Sequence, residues 1–487
     1  MLSRFHPRHA SGPVEGFREI GAIGSIGVRS CSSRRAYAPD GPRDRTRKKD
    51  SRRWGDYTVS GSGGPGTRGN LPPGVLSAIV REYDVDRTLP YRLFFVRVTL
   101  TPAQMADTTY ITSTLTELVQ TKSINPAFAD GEPSDERAIA TRIASMMQAL
   151  GMETTFSEPE PGRVSVVGRL RGTGDGRSLL LYGHIDTVGV AAMPEPFSAA
   201  VRDGKLYGRG SYDMKGGVAA CLAAVKALRD AGAKLRGDVL IAGVADEEVA
   251  SIGMADVLRH VTADAAIVTE PTELRVCLAH RGFSWIEVET LGVAAHGSRY
   301  DLGVDANMRM GRFLARLDKL EQDLRARTPH PLVGPPSLHA AVMRGGTGVS
   351  TYADHCHLEI ERRTIPGETE EQVLSEIRAI TDTLAKEDAT FRATVRPMLT
   401  RSSFEVGRSA AIVTAVLDAA TSVLGTKPPV IGEPYWMDAA LLSAAGIDTV
   451  VIGPVGAGAH ALEEWVDLES VRQVADVLAK AAMQFCA

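Results

Sequence analysis

Thiols, aromatic rings and long apolar runs are all scarce in this chain. Its five cysteines, Cys31, Cys221, Cys277, Cys356 and Cys486, are scattered through 487 residues without a CxxC pair. An odd, widely spaced set argues against a disulfide framework or a thiolate zinc cluster, and points to the reduced thiols of a cytoplasmic protein. Aromatic residues make up 6% of the sequence. No apolar run approaches the roughly 18 residues a membrane span needs. Charge of either sign is close to balanced, with 55 basic and 59 acidic residues for a net −4. Its distribution is uneven, however. Residues 1–53 carry 13 Lys and Arg against 5 Asp and Glu, or +8, which leaves 42 basic and 54 acidic residues, or −12, for the remainder. What is present is the composition of a folded chain, 44% hydrophobic and 23% charged. Its length alone suggests about three domains.

Residues 1–104 read as a disordered basic extension. RTRKKDSRR at 45–53 and GSGGPGTRG at 61–69 show neither helical nor strand spacing. Arginine without interleaved aromatics or a fold does not make a nucleic-acid site. The Arg- and Ser-rich opening leaves organelle targeting as an alternative, although Glu15 and Glu19 count against it. At Met105, MADTTYITSTLTELVQ begins what reads as the first helix.

The body alternates strands and helices. A helix is predicted over 135–150, stopped by Gly151, with helices over 216–231 and 410–423. Continuous apolar strands fall at 164–168, 178–183, 238–245, 265–269 and 448–453. This pattern indicates an α/β layer with a parallel sheet covered on both faces. Residues 280–395 differ: strands near 283–291 and 355–363 alternate apolar and polar, and the helices near 304–327 and 369–386 are amphipathic. A smaller α+β domain at 280–395 is therefore expected between two parts of the larger one, 105–279 and 396–487.

Chemistry collects where the apolar strands end. His184 and Asp186 follow LLLY, Asp246-Glu247-Glu248 follow VLIAGVA, Glu270 follows AAIVT, and His460 lies in the loop after TVVIG. Asp213 sits in GRGSYDMKGG, ahead of the 216–231 helix. In open α/β sheets the ligand crevice lies outside the carboxyl ends of the strands. Imidazole and carboxylate together suit zinc and related divalent ions. The set exceeds one tetrahedral ion's needs, which suggests two ions sharing a carboxylate, standing about 3.5–4 Å apart as in two-metal hydrolases. Residues 184 and 186 face the same side of an extended chain, so Asp186 can orient the imidazole. Glu247 and Glu248 must point apart, one to metal and the other to a water as general base.

GHIDTV, GRGSYDMKGG, the DEE triplet, TEPT, AAHGS, ERRTIPGE and GAHALEEWV occur in that order. From about residue 110 onward the chain resembles the metallopeptidase family of acetylornithine deacetylase, succinyl-diaminopimelate desuccinylase, aminoacylase and glutamate carboxypeptidase. The resemblance implies a zinc-peptidase-like catalytic domain with a mixed, mostly parallel sheet, interrupted by a ferredoxin-like dimerisation or lid domain. It implies two ions, zinc with cobalt or manganese as alternatives, and Asp213 as their bridge. His184 and Glu270 would complete one set, Glu248 and His460 the other. Glu247 would be the base and Asp186 the orienter of His184. His296 of AAHGS would reach a partner's active site in a homodimer. Arg363 would take the substrate carboxylate, with Arg362 beside it as the alternative, and Gly345 and Gly346 would form a tight turn. The stretch GGTGVSTYADHC departs from the commonest pattern, with Ser350 and Ala353 where many relatives carry Asn and Pro.

The expected activity is hydrolysis of the amide of an N-acyl amino acid, with a dipeptidase or carboxypeptidase as the alternative. Small molecules would be the substrates, with no nucleic acid and no membrane as partners. His280 reads as structural, near the domain junction, and Trp436 and Asp438 as pocket lining. His260, His330, His339, His355 and His357 have no motif support and read as surface or packing residues.

Overall fold

The computed structural model describes residues 106–129, 131 and 134–487. The expectations for the basic lead at 1–104 lie outside the described residues. The first helix, Thr108–Gln120, is capped by Asp107, whose carboxylate accepts the Thr109 N–H. The backbone N–H of Ala106 donates to Asp476 at 2.8 Å, tying this start to the terminal helix Leu468–Phe485.

The predicted apolar runs become the interior of a nine-stranded sheet. Its order is Glu153–Ser157, Ser165–Leu170, Val239–Val244, Leu179–His184, Ala265–Val268, Asp448–Val451, Val276–His280 and Phe404–Glu405, and Val430–Glu433 also pairs with Val276–His280. The central strands run parallel. Towards both edges the pairing turns antiparallel, except that Val430–Glu433 runs parallel to Val276–His280. The sheet is therefore mixed: a short connection such as 158–164 can only return a strand antiparallel, whereas parallel neighbours need a crossover.

Leu179–His184 and Val239–Val244 are buried at every position. Each fully buried Val, Leu or Ile contributes about 1.5–3 kcal/mol before entropy is charged against it. The Ala-rich helix Gly216–Asp230 is buried along almost its whole length. Glycine lets it approach the sheet: a Cβ on Gly183 would stand 2.6 Å from Val218, and one on Gly217 2.4 Å from the Thr269 carbonyl.

A second, four-stranded sheet has the order Ser337–Gly345, His355–Thr364, Gly282–Leu291 and Arg392–Arg401, all antiparallel. Helices Ala306–Arg325 and Glu370–Glu387 complete a βαββαβ order, the ferredoxin-like arrangement. Its buried residues, among them Phe313, Leu358, Ile360 and Phe391, form a core distinct from that of the large sheet. The alternation expected of it is present, since Gly282–Leu291 buries every second residue. Cys221, Cys277, Cys356 and Cys486 are free and buried.

Candidate active site

Three strand ends of the large sheet converge with two loops. His184 closes the strand Leu179–His184, the acidic triplet follows Val239–Val244, and Glu270 follows Ala265–Val268. Asp213 projects from the turn Ser211–Lys215, whose backbone is held by Glu464. That buried carboxylate accepts the N–H groups of Gly210, Tyr212 and Asp213 at 3.0, 2.9 and 3.1 Å and an Arg209 N–H at 2.7 Å. His460 stands in a loop with φ +62, beside Gly458 at φ +86.

The side chains meet in two groups. His184 Nε2 lies 3.1 Å from Asp213 Oδ1 and 3.6 Å from Glu270 Oε1. His460 Nε2 lies 3.4 Å from Asp213 Oδ2 and 3.0 Å from Glu248 Oε2. Asp213 thus belongs to both, one oxygen to each, and within each group the donor atoms lie within 4.8 Å of one another. Burial raises the carboxyls of Glu247, Glu248 and Glu270 above the ordinary range, and the neighbouring acids raise them further. Glu248 Oε1 is buried with no partner. Crowded, desolvated acids with an orphaned oxygen are costly unless a cation neutralises them. The donor set fits divalent metal.

Behind these groups, Asp186 is fully buried. His184 Nδ1 lies 3.0 Å from the Asp186 carbonyl oxygen and 3.6 Å from its carboxylate. That carboxylate instead accepts the backbone N–H groups of Glu247 and Glu248 at 3.1 and 3.3 Å, and an Asn125 N–H at 2.9 Å. Sequence reading passed over both Asn125 and Glu464. Neither lies at a strand end, and a lone Asn beside Pro126 reads as a turn residue; Glu464 was at least visible within GAHALEEWV.

The remaining expected residues lie on or beside the smaller sheet. Arg362 is fully buried, paired with Glu368 at 2.6 Å and with Glu376 at 3.5 Å. Arg363 points the other way, 32% exposed, 3.0 Å from Glu361 and over the Phe283 ring. Of the two arginines, Arg362 is closed off from solvent and Arg363 is partly exposed. Gly345 packs where a Cβ would stand 2.1 Å from Asn307 Oδ1 and 2.8 Å from Cys356 Sγ, and Gly346 has φ +77, the left-handed region that favours glycine. His296 is exposed, its Nδ1 2.9 Å from Ser298 Oγ. Among the described residues no hydrogen bond or ion pair joins it to the two groups. His280 is buried against Phe404 and edge-on to Trp436, and burial pushes its imidazole down to about 4. Asp438 is buried too, accepting the Tyr182 hydroxyl at 2.6 Å.

A mixed α/β sheet delivering two imidazole–carboxylate groups with a shared aspartate defines a metallohydrolase site. The family model for Peptidase family M20/M25/M40 matches residues 180–484, and the chain belongs to that family. It is 30% identical over 393 residues to an acetylornithine deacetylase of Myxococcus xanthus, covering 78% of this chain and 99% of that one. It is 29% identical to an N-formyl-4-amino-5-aminomethyl-2-methylpyrimidine deformylase of Bacillus subtilis, over 72% of this chain and 89% of the relative. Among solved structures, the fold is similar to a dinuclear metal-binding peptidase of the M20 family from Bacillus subtilis, with a TM-score of 0.61 at 16% identity, covering 77% of this chain and 97% of the other. The chain is accordingly a hydrolase acting on amide bonds. No helix among the described residues is long and apolar enough to cross a membrane.

Proposed function

We propose that this protein removes the acyl group from an N-acyl amino acid or a related small amide, as an acetylornithine-deacetylase-like enzyme. The observation that carries the reading is Asp213, whose two oxygens face two separate imidazole–carboxylate groups. Similarity to a deacetylase over 99% of that relative's length supports it. His184, Asp213 and Glu270 would hold one divalent ion, and Asp213, Glu248 and His460 a second, with zinc the first choice and cobalt or manganese alternatives. Bound there, the ions would supply Lewis-acid polarisation of the scissile carbonyl and charge for its developing oxyanion.

The chain's own groups do the proton work. Glu247, beside these ligands but in neither group, takes the proton of the attacking water and returns it to the leaving amine. Desolvation raises its affinity for that proton. Asp186 positions His184 from behind. Arg363 takes the substrate carboxylate through its guanidinium fork, near the turn at Gly345 and Gly346. His296 of the partner subunit completes the oxyanion site in a cytoplasmic homodimer formed through the α+β domain at 280–395. The catalytic domain takes 105–279 and the C-terminal part, expected from 396 but drawn after Arg401 because the strand Arg392–Arg401 belongs to the small sheet; the two separate cores support a two-domain division.

The test is a hydrolysis screen of the metal-loaded protein against N-acyl amino acids and dipeptides. Release of free amino acid from acyl substrates is expected. Cleavage confined to dipeptides would replace the deacylase reading with a dipeptidase or carboxypeptidase.

A further inference from the structure

One buried side chain stands between the two carboxylates that shape the base-bearing turn. Asn125 is 2% exposed and follows the first helix. Its backbone N–H donates to the Thr187 carbonyl at 2.8 Å. Its Oδ1 accepts the Ala127 N–H at 3.1 Å. Its Nδ2 then donates to Asp186 Oδ2 and to Asp246 Oδ1, each at 2.9 Å. These contacts settle the amide's orientation, because a flipped carboxamide would aim its oxygen at two carboxylates and its NH2 at a backbone N–H.

The two acceptors are the supports of the turn. Asp186 holds the N–H groups of Glu247 and Glu248. Asp246 has φ +71, a left-handed backbone outside glycine, and its carbonyl accepts the N–H groups of Ala250 and Ser251. Its carboxylate also pairs with the buried Arg163, which in turn pairs with the buried Glu136. One guanidinium thus serves Glu136 and Asp246, while among the described residues Asp186 has no basic side chain within 4 Å other than His184, 3.6 Å away. Between Asp186 and Asp246, the carboxamide supplies the donors that let two acids approach in a dry interior.

We propose that Asn125 is a positioning residue for catalysis, fixing the turn that carries Glu247 and Glu248 by tying Asp186 to Asp246. The proposal rests on the role of Glu247 given above. A 1 Å displacement of a reacting group can cost about 100-fold in rate.

Asn125→Asp separates this role from a local one. Aspartate makes the same turn with its own backbone as asparagine, so a residue needed only for the turn at 125–129 would tolerate the change. A residue needed for its two N–H donors would not, because the new carboxylate would face those of Asp186 and Asp246. For Asn125→Asp the expected result is a fall in kcat of about 100-fold, with KM within threefold and the metal content of the wild type. Asn125→Ser adds no charge and keeps one donor, and it should lose about tenfold in kcat. Amide hydrogen exchange followed by mass spectrometry gives a readout independent of activity. Protection of residues 246–252 should fall in both variants, while that of the strand Leu179–His184 stays unchanged. An Asp variant with wild-type kcat and wild-type protection of 246–252 would overturn the proposal, as would loss of metal in proportion to the lost activity. If the wild type cleaves no amide, the reading of Glu247 fails separately, and the exchange experiment still decides whether Asn125 holds the turn.

Discussion

The two sheets treat charge in opposite ways. On the small sheet the solvent face carries Glu287, Glu289, His357, Glu359 and Arg396, and their partners are one another: Arg396 reaches Glu287, and His357 lies 3.1 Å from Glu359. Arg396 is 61% exposed, so water screens this network. At the strand ends of the large sheet, acids of the same kinds and His184 are buried, with His460 reaching them from an exposed loop. There Asp213, Glu248 and Glu270 find no lysine or arginine partner among the described residues. Facing two imidazoles and, among the described residues, no other basic side chain, these desolvated acids call for positive charge from outside. The same residue types make a wet face in one place and a metal-type site in the other, and burial is the variable that separates them.

That contrast can be broken most severely at the base. Glu247→Ala is expected to lower kcat by about 1,000-fold or more while metal content stays at the wild-type level, measured by steady-state kinetics alongside elemental analysis. An active variant would return Glu247 to the ranks of ordinary buried acids.

Next in size is a ligand. His460→Ala should bring the metal stoichiometry down by one ion per chain and turnover down with it. Unchanged stoichiometry after dialysis would remove His460 from the second group. Prolonged chelation of the wild type should abolish activity reversibly, with zinc, cobalt or manganese tested for recovery.

The two neighbouring arginines sharpen the comparison within a single strand. Arg363→Ala should lower kcat/KM by on the order of 10- to 100-fold through KM, with the melting temperature unchanged. Arg362→Ala should do the reverse. It leaves a buried gap and only Arg327 to pair with Glu368 and Glu376, and should cost about 1–3 kcal/mol of stability in denaturant unfolding. Reversed phenotypes would exchange their roles. At the bottom of the scale, Arg396→Ala removes an exposed pair and should change stability by less than about 1 kcal/mol, leaving kcat and KM alone.

Much of this was legible in the chain. The apolar runs that became Leu179–His184, Val239–Val244 and Ala265–Val268 were readable because burial on both faces leaves no room for polar residues. His184, Glu248, Glu270 and Asp213 were readable because they follow such runs or open a helix. The antiparallel edges of the large sheet were less so. Glu153–Ser157 buries none of its residues, and on the small sheet Arg392–Arg401 carries three arginines and Pro397, which mask its period. Asn125 was invisible for a different reason, since its partners lie 61 and 121 residues away.

The choice between Arg362 and Arg363 shows where the division falls. Alternation along a strand already required the two to face opposite sides, and it required that only one could meet a ligand. Register set their burial: Arg362 pairs across to Ser284, a buried position, and Arg363 to the half-buried Phe283. Local physics therefore determined the strands, the helices and the stock of acids and imidazoles, because backbone propensity and apolar period act over a few residues. Tertiary structure decided that Asp213 should face two groups at once, that Asp186 should hold the turn of Glu247 and Glu248, and that Asn125 should join that turn to the first helix's end. Those decisions depend on distances between segments far apart in the chain, set only when the whole sheet closes its core.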